Sequence, residues 1–116
     1  MTDNRIVNLG WEIPTERYSD QPYVVKTNDG AWLCVMTTGA GHEGQTGQHV
    51  ITTRSTDQGK TWSAPVDVEP ADGVEASYAV LLKVPSSGRV YCFYDHNTDD
   101  LRWVKADDPP YSHLVI

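Results

Sequence analysis

Ser55-Thr56-Asp57-Gln58-Gly59-Lys60-Thr61-Trp62 is the stretch that decides how this chain folds. It is entered by His49-Val50-Ile51-Thr52-Thr53-Arg54 and left by Ser63-Ala64-Pro65-Val66-Asp67-Val68, β-prone runs on both sides. The residues between must reverse the chain, and they carry turn chemistry at several positions. Ser55 and Asp57 have short polar side chains that fold back onto backbone N–H groups. Gly59 takes a positive φ without strain, and Trp62 can cover the turn with its ring. A tight hairpin is expected here, with Asp57 hydrogen-bonding inside the turn.

Working outward, the residues before this hairpin form another. Pro22 to Lys26 reads as a strand, Asn28-Asp29-Gly30 as a strong turn, and Ala31 to Thr37 as the returning strand. The run Gly39-Ala40-Gly41-His42-Glu43-Gly44-Gln45-Thr46-Gly47 holds four glycines in nine residues and reads as a loop leading to the third strand. Residues 21–68 thus predict four sequential antiparallel strands. Met1 to Glu16 reads as an approach segment, with at most one edge strand around Ile6-Val7. No segment sustains an apolar spacing of i, i+3, i+4, i+7, so the fold class is all-β.

The pattern then begins again. Ser77 to Val84, the turn Pro85-Ser86-Ser87-Gly88, and Arg89 to Tyr94 repeat the first hairpin, and placing Gly88 on Gly30 also places Cys92 on Cys34. The two cysteines are one repeat position met twice, which argues for buried free thiols over a disulfide. Leu101 to Ala106 reads as a third strand of this second set, and Pro109-Pro110 then stops regular pairing. Trp32, Trp62 and Trp103 are expected in the core. The whole, residues 1–116, is expected to form a single domain with a complete unit at 21–68 and an incomplete one at 77–116.

Composition limits the partners. The 116 residues include 9 Lys plus Arg against 16 Asp plus Glu, a formal charge of −7. That balance excludes nucleic acid and anionic membrane surfaces as expected partners and leaves a neutral glycan open. The first ten residues lack a basic stretch followed by an apolar one, so a cytoplasmic location is expected, or an exported one if further sequence precedes Met1.

The spacing Ser55-x-Asp57-x-Gly59-x-Thr61-Trp62 resembles the Asp-box, or BNR repeat, of sialidases and related β-propeller proteins, matching all five defining positions. The resemblance implies that residues 21–68 are one propeller blade and 77–116 part of a second. It also implies that the Asp-box closes the turn between a blade's third and fourth strands, at the rim away from the substrate. By the same resemblance the chain would be the N-terminal part of a glycoside hydrolase propeller acting on glycans, inactive until completed, and its open blade faces would make it a homo-oligomer. The alternative is a non-catalytic module that binds glycan or self-assembles through open blade faces.

Sialidases use a tyrosine nucleophile with a glutamate partner, an aspartate acid/base, and three arginines that grip the sugar carboxylate. Matching the first arginine's motif on proline puts Ser19-Asp20-Gln21-Pro22 there, with Asp20 in the arginine's place and Arg17 three residues earlier. Aligning on the Asp-box puts the acid/base at His49 or in the loop before it, where His42 and Glu43 have acid/base capacity. The candidate catalytic residues are therefore Asp20, His42, Glu43 and His49. The remaining catalytic groups of the family fall in later blades. Glu75, Tyr78, Tyr94, Asp95 and His96 lie near strand ends of the second unit, and both tyrosines are expected to be packed. His42, His49 and His96 fit no short metal motif, so neither metal nor cofactor is expected.

Overall fold

A computed structural model describes residues 3, 5–43 and 47–99. The expectations for Leu101 to Ala106, for Trp103 and for the Pro109-Pro110 tail lie outside these residues. Within them the chain is all-β, with one 3-10 turn at Val7–Leu9 and no α-helix. No helix among the described residues is long and apolar enough to cross a membrane.

Strands β1 (Tyr18–Lys26), β2 (Trp32–Gly39), β3 (His49–Ser55) and β4 (Val66–Asp67) form one antiparallel sheet in sequence order. Strands β5 (Ala76–Lys83) and β6 (Val90–His96) form a second. Three local features depart from the sequence reading. The approach segment carries the 3-10 turn and no strand, β1 begins at Tyr18, ahead of Pro22, and β4 is only two residues long.

The first hairpin closes because Thr27 accepts from the Gly30 amide at 3.0 Å and donates its own amide to the Ala31 carbonyl at 2.8 Å. Asp29 is held in that turn by the Thr27 hydroxyl, and the Arg54 guanidinium reaches across from β3 to its other oxygen. These bonds keep its carboxyl down at about 2, with the Thr27 bond the largest cause.

The two sheets repeat one another pair by pair. The pairs Tyr23↔Val35, Val24↔Cys34, Val25↔Leu33 and Lys26↔Trp32 of the first recur as Val80↔Phe93, Leu81↔Cys92, Leu82↔Tyr91 and Lys83↔Val90 in the second. Both first strands break register at one place, between Asp20 and Tyr23 and between Ser77 and Val80. The corresponding bulge residues, Gln21 and Tyr78, take left-handed backbone at φ 47° and 55°.

Strand alternation sorts the apolar residues onto two faces. Val35 and Val50 of the first sheet pack with Ala76, Ala79 and Leu81 of the second in a core between the sheets, flanked by Val25, Leu33, Cys92 and Tyr94. Burying each of the larger side chains contributes about 1.5–3 kcal/mol. Cys34, Met36 and Ile51 lie on the opposite face of the first sheet, covered by Ile13 and Trp62. Cys34 therefore points away from the second sheet while Cys92 points toward the first. Equivalent positions face the same way, so the sheets stack in one sense, front to back. Polar bonds fix the stack: Lys83 Nζ donates to the Lys26 carbonyl at 2.9 Å, and the Tyr78 amide donates to Thr37 Oγ1 at 3.1 Å.

Candidate functional site

Register divides the first sheet into two ends. Trp32 pairs with Lys26 and Ser55 at one, and Thr38 pairs with Ser19 and His49 at the other. The Asp57 turn sits at the first end and the sequence-derived candidates at the second.

At the turn, every expected residue has its mechanical part. Ser55 Oγ donates to Asp57 Oδ1 at 2.8 Å and accepts from the Gly59 amide at 2.8 Å. Asp57 accepts the Thr61 amide at 2.9 Å on Oδ1 and the Thr61 hydroxyl at 2.6 Å on Oδ2. The Trp62 indole closes the turn by donating to the Gly59 carbonyl at 3.1 Å. The Thr61 hydroxyl is the chief cause that holds the Asp57 carboxyl down at about 2, followed by the Thr61 amide and Ser55. Both of its oxygens are thus engaged within the turn.

At the other end, Tyr18 and Asp20 lie two apart on β1 and share a face. The Tyr18 phenol donates to Asp20 Oδ2 at 3.2 Å. From the second sheet, the bulge at Tyr78 turns its phenol outward, where it donates to Glu43 Oε1 at 3.1 Å. Tyr78 is 44% exposed, so the sequence expectation of a packed ring is corrected: the bulge takes it out of the strand's apolar alternation. Tyr94 is half-buried against the inter-sheet core, and its hydroxyl donates to Glu69.

The two phenol–carboxylate pairs are electrostatically joined. Desolvation pushes the Tyr18 phenol up to about 12, reinforced by the bond to Asp20 and by the charges of Asp20 and Glu43. Tyr78 is also raised, first by its bond to Glu43 and then by burial, with Asp20 and Glu75 adding to it. Both phenols therefore remain O–H donors at neutral pH. The structure thus brings Asp20 and Glu43 together, and adds Tyr18, which sequence reasoning missed. The available signal was the i, i+2 spacing of a tyrosine and a carboxylate on one strand.

The two histidines make other contacts. His49 is 1% exposed. Its Nδ1 lies 2.9 Å from the Gly47 carbonyl, and its Nε2 lies 3.7 Å from Glu16 and 3.6 Å from Asp67, so the ring ties the approach segment and β4 to β3. His42 is exposed, and its carbonyl accepts from Gln48 Nε2 at 2.6 Å, which makes it part of the loop's framework. Arg17 is exposed beside this end. Among the described residues no group of three or more His, Cys, Asp and Glu is arranged to hold a metal ion.

What converges is an acidic rim with two protonated phenols. Each phenol proton is spent on its carboxylate, which leaves carboxylate and phenol oxygens as the acceptors this end presents, with Arg17 the cation beside them. No model of a known protein family matches the chain, and no curated protein matches its sequence.

Proposed function

We propose that this chain is part of a sialidase-like, BNR-repeat β-propeller that acts on glycans, with the four-stranded sheet as one blade and β5–β6 as the start of the next. The observation that carries the reading is the placement of the Tyr18–Asp20 and Tyr78–Glu43 pairs at the sheet end opposite the Asp57 turn. That is the arrangement the Asp-box resemblance implies for a sugar-facing rim. Pairwise repetition of register and front-to-back stacking support the blade assignment.

In this chain the rim binds rather than cleaves. A phenol held protonated by neighbouring carboxylates is a poor nucleophile, and Asp20 stands where the resemblance asks for a carboxylate-gripping arginine. The preferred ligand is a neutral, hydroxyl-rich glycan.

The test is retention of the purified chain on immobilised neutral and sialylated oligosaccharides, with a hydrolysis assay alongside. Neutral glycans should be retained, none should be hydrolysed, and Asp20→Asn or Tyr78→Phe should weaken retention. A folded protein that retains no glycan, or whose retention both variants leave unchanged, would overturn the reading.

A further inference from the structure

The outward face of the second sheet carries Val80, Leu82, Tyr91 and Phe93, which are 44%, 54%, 46% and 56% exposed. Contiguous apolar surface of this kind marks an interaction site. The repeat says what it is shaped to receive. These four residues are the register equivalents of Tyr23, Val25, Leu33 and Val35, the face of the first sheet on which the second is stacked. The surface that packs on that face inside the chain is the Leu81 and Cys92 face of the second sheet, whose own equivalents in the first are Val24 and Cys34. A second copy presents that surface in part: its Val24 is 44% exposed, while Cys34 lies beneath the copy's own Ile13 and Trp62.

The Val24 end of that face is reached through a cleft. Val24, Trp32 and Trp62 line a cleft of about 780 Å³ under Trp11, on the side of the first sheet turned away from the second. Val24 is 44% and Trp11 61% exposed. Polar groups repeat with the apolar ones. Inside the chain Lys83 reaches the Lys26 carbonyl, and Lys26 is the register equivalent of Lys83. Between copies, Lys26 of one would reach the Lys83 carbonyl of the next.

We propose that copies of this chain associate head to tail, the Phe93 face of one seated on the Val24 face of the next, continuing the intrachain stack across the interface. The contact is heterologous, so it closes into a ring if the rotation per copy allows and otherwise extends. The proposal rests on the stacked-repeat part of the reading above and is independent of sugar recognition.

Two exposed-site variants test it, Phe93→Asp and Val24→Asp, each disabling one of the two unlike faces. Light scattering at roughly 50 µM should give the unmodified chain an apparent mass at least about twice that of the monomer. Each variant alone should be monomeric with circular dichroism unchanged, and an equimolar mixture should form a one-to-one dimer, because each variant keeps the face the other lacks. A monomeric unmodified chain overturns the proposal, including the case in which other residues of the chain cover the Phe93 face. So does a dimer of either variant alone, which would reveal a like-to-like contact. Should a variant not fold, Leu82→Lys replaces Phe93→Asp and Trp11→Asp replaces Val24→Asp. Loss of glycan retention without loss of association, or the reverse, tells the two proposals apart.

Discussion

Gln21 and Tyr78 hold the same place in successive sheets, each opening a bulge with a left-handed backbone at φ 47° and 55°. Neither is a glycine, so both carry the steric cost of a Cβ in that region. Gln21 is exposed and serves as the clean probe. Gln21→Gly should leave the melting temperature unchanged or raise it, and Gln21→Val should lower stability by about 1–2 kcal/mol in denaturant unfolding.

At the opposite end, Gly59 combines φ +85° with contact to two indoles. A Cβ built there would lie 3.0 Å from Trp32 Cζ3 and 3.6 Å from Trp62 Cζ2. Gly59→Val should cost about 2–4 kcal/mol, combining backbone strain with displacement of Trp32. Tryptophan fluorescence should shift with it, since the ring that must move is a reporter.

The Asp57 and Asp29 carboxyls titrate at about 2 in the folded chain, below the ordinary 3.8. A folded-state value below the unfolded one means that the unfolded chain takes up protons first as pH falls. Their contribution is present above pH about 4 and is lost between about 4 and 2. Melting temperature should fall across that window, and Asp57→Asn should flatten the fall without removing it, because Asp29 still titrates.

Tyr18 should be visible in a spectrophotometric phenol titration as a group ionising near 12, against 10 for an unperturbed tyrosine. Tyr18→Phe should remove that phase. The folded value is raised, so the stability tied to this phenol is present below pH 10 and lost as pH rises toward 12. Asp20→Asn should move that phase part of the way back toward 10 without abolishing it, because desolvation is the larger cause.

Cys34 is fully buried, and burial pushes its thiol up to about 11; Cys92 is half-buried and raised by the same cause. A thiol reagent should therefore label Cys92 first and reach Cys34 only on unfolding. Because Cys34 faces away from the sheet that carries Cys92, oxidation of the folded chain should give no intramolecular disulfide.

Much of this architecture was legible because turns write themselves in local chemistry. Gly30, Gly88 and the Ser55 to Trp62 stretch fixed three reversals, and the equivalence of Cys34 and Cys92 announced the repeat. The bulges were not legible, since Gln21 and Tyr78 lack the glycine that signals positive φ. Without the Tyr78 bulge its ring reads as one more apolar strand residue. The site was half legible for a related reason. Asp20 and Glu43 stood out singly, but their meeting depends on how one sheet lies on the other, a tertiary fact absent from any window of residues. His49 looked like an acid/base candidate, and its burial beside both Glu16 and Asp67 was equally invisible in the sequence.

The two phenols at the acidic rim come from different sheets, Tyr18 from the first and Tyr78 from the second. Their separation is therefore a gauge of the angle between the sheets. A small tilt at the Val35–Leu81 layer would be magnified where the strands begin, opening or narrowing the gap between the two phenols. Packing in the interior thus sets spacing at the rim, and a core substitution far from the phenols becomes a way to move them relative to one another.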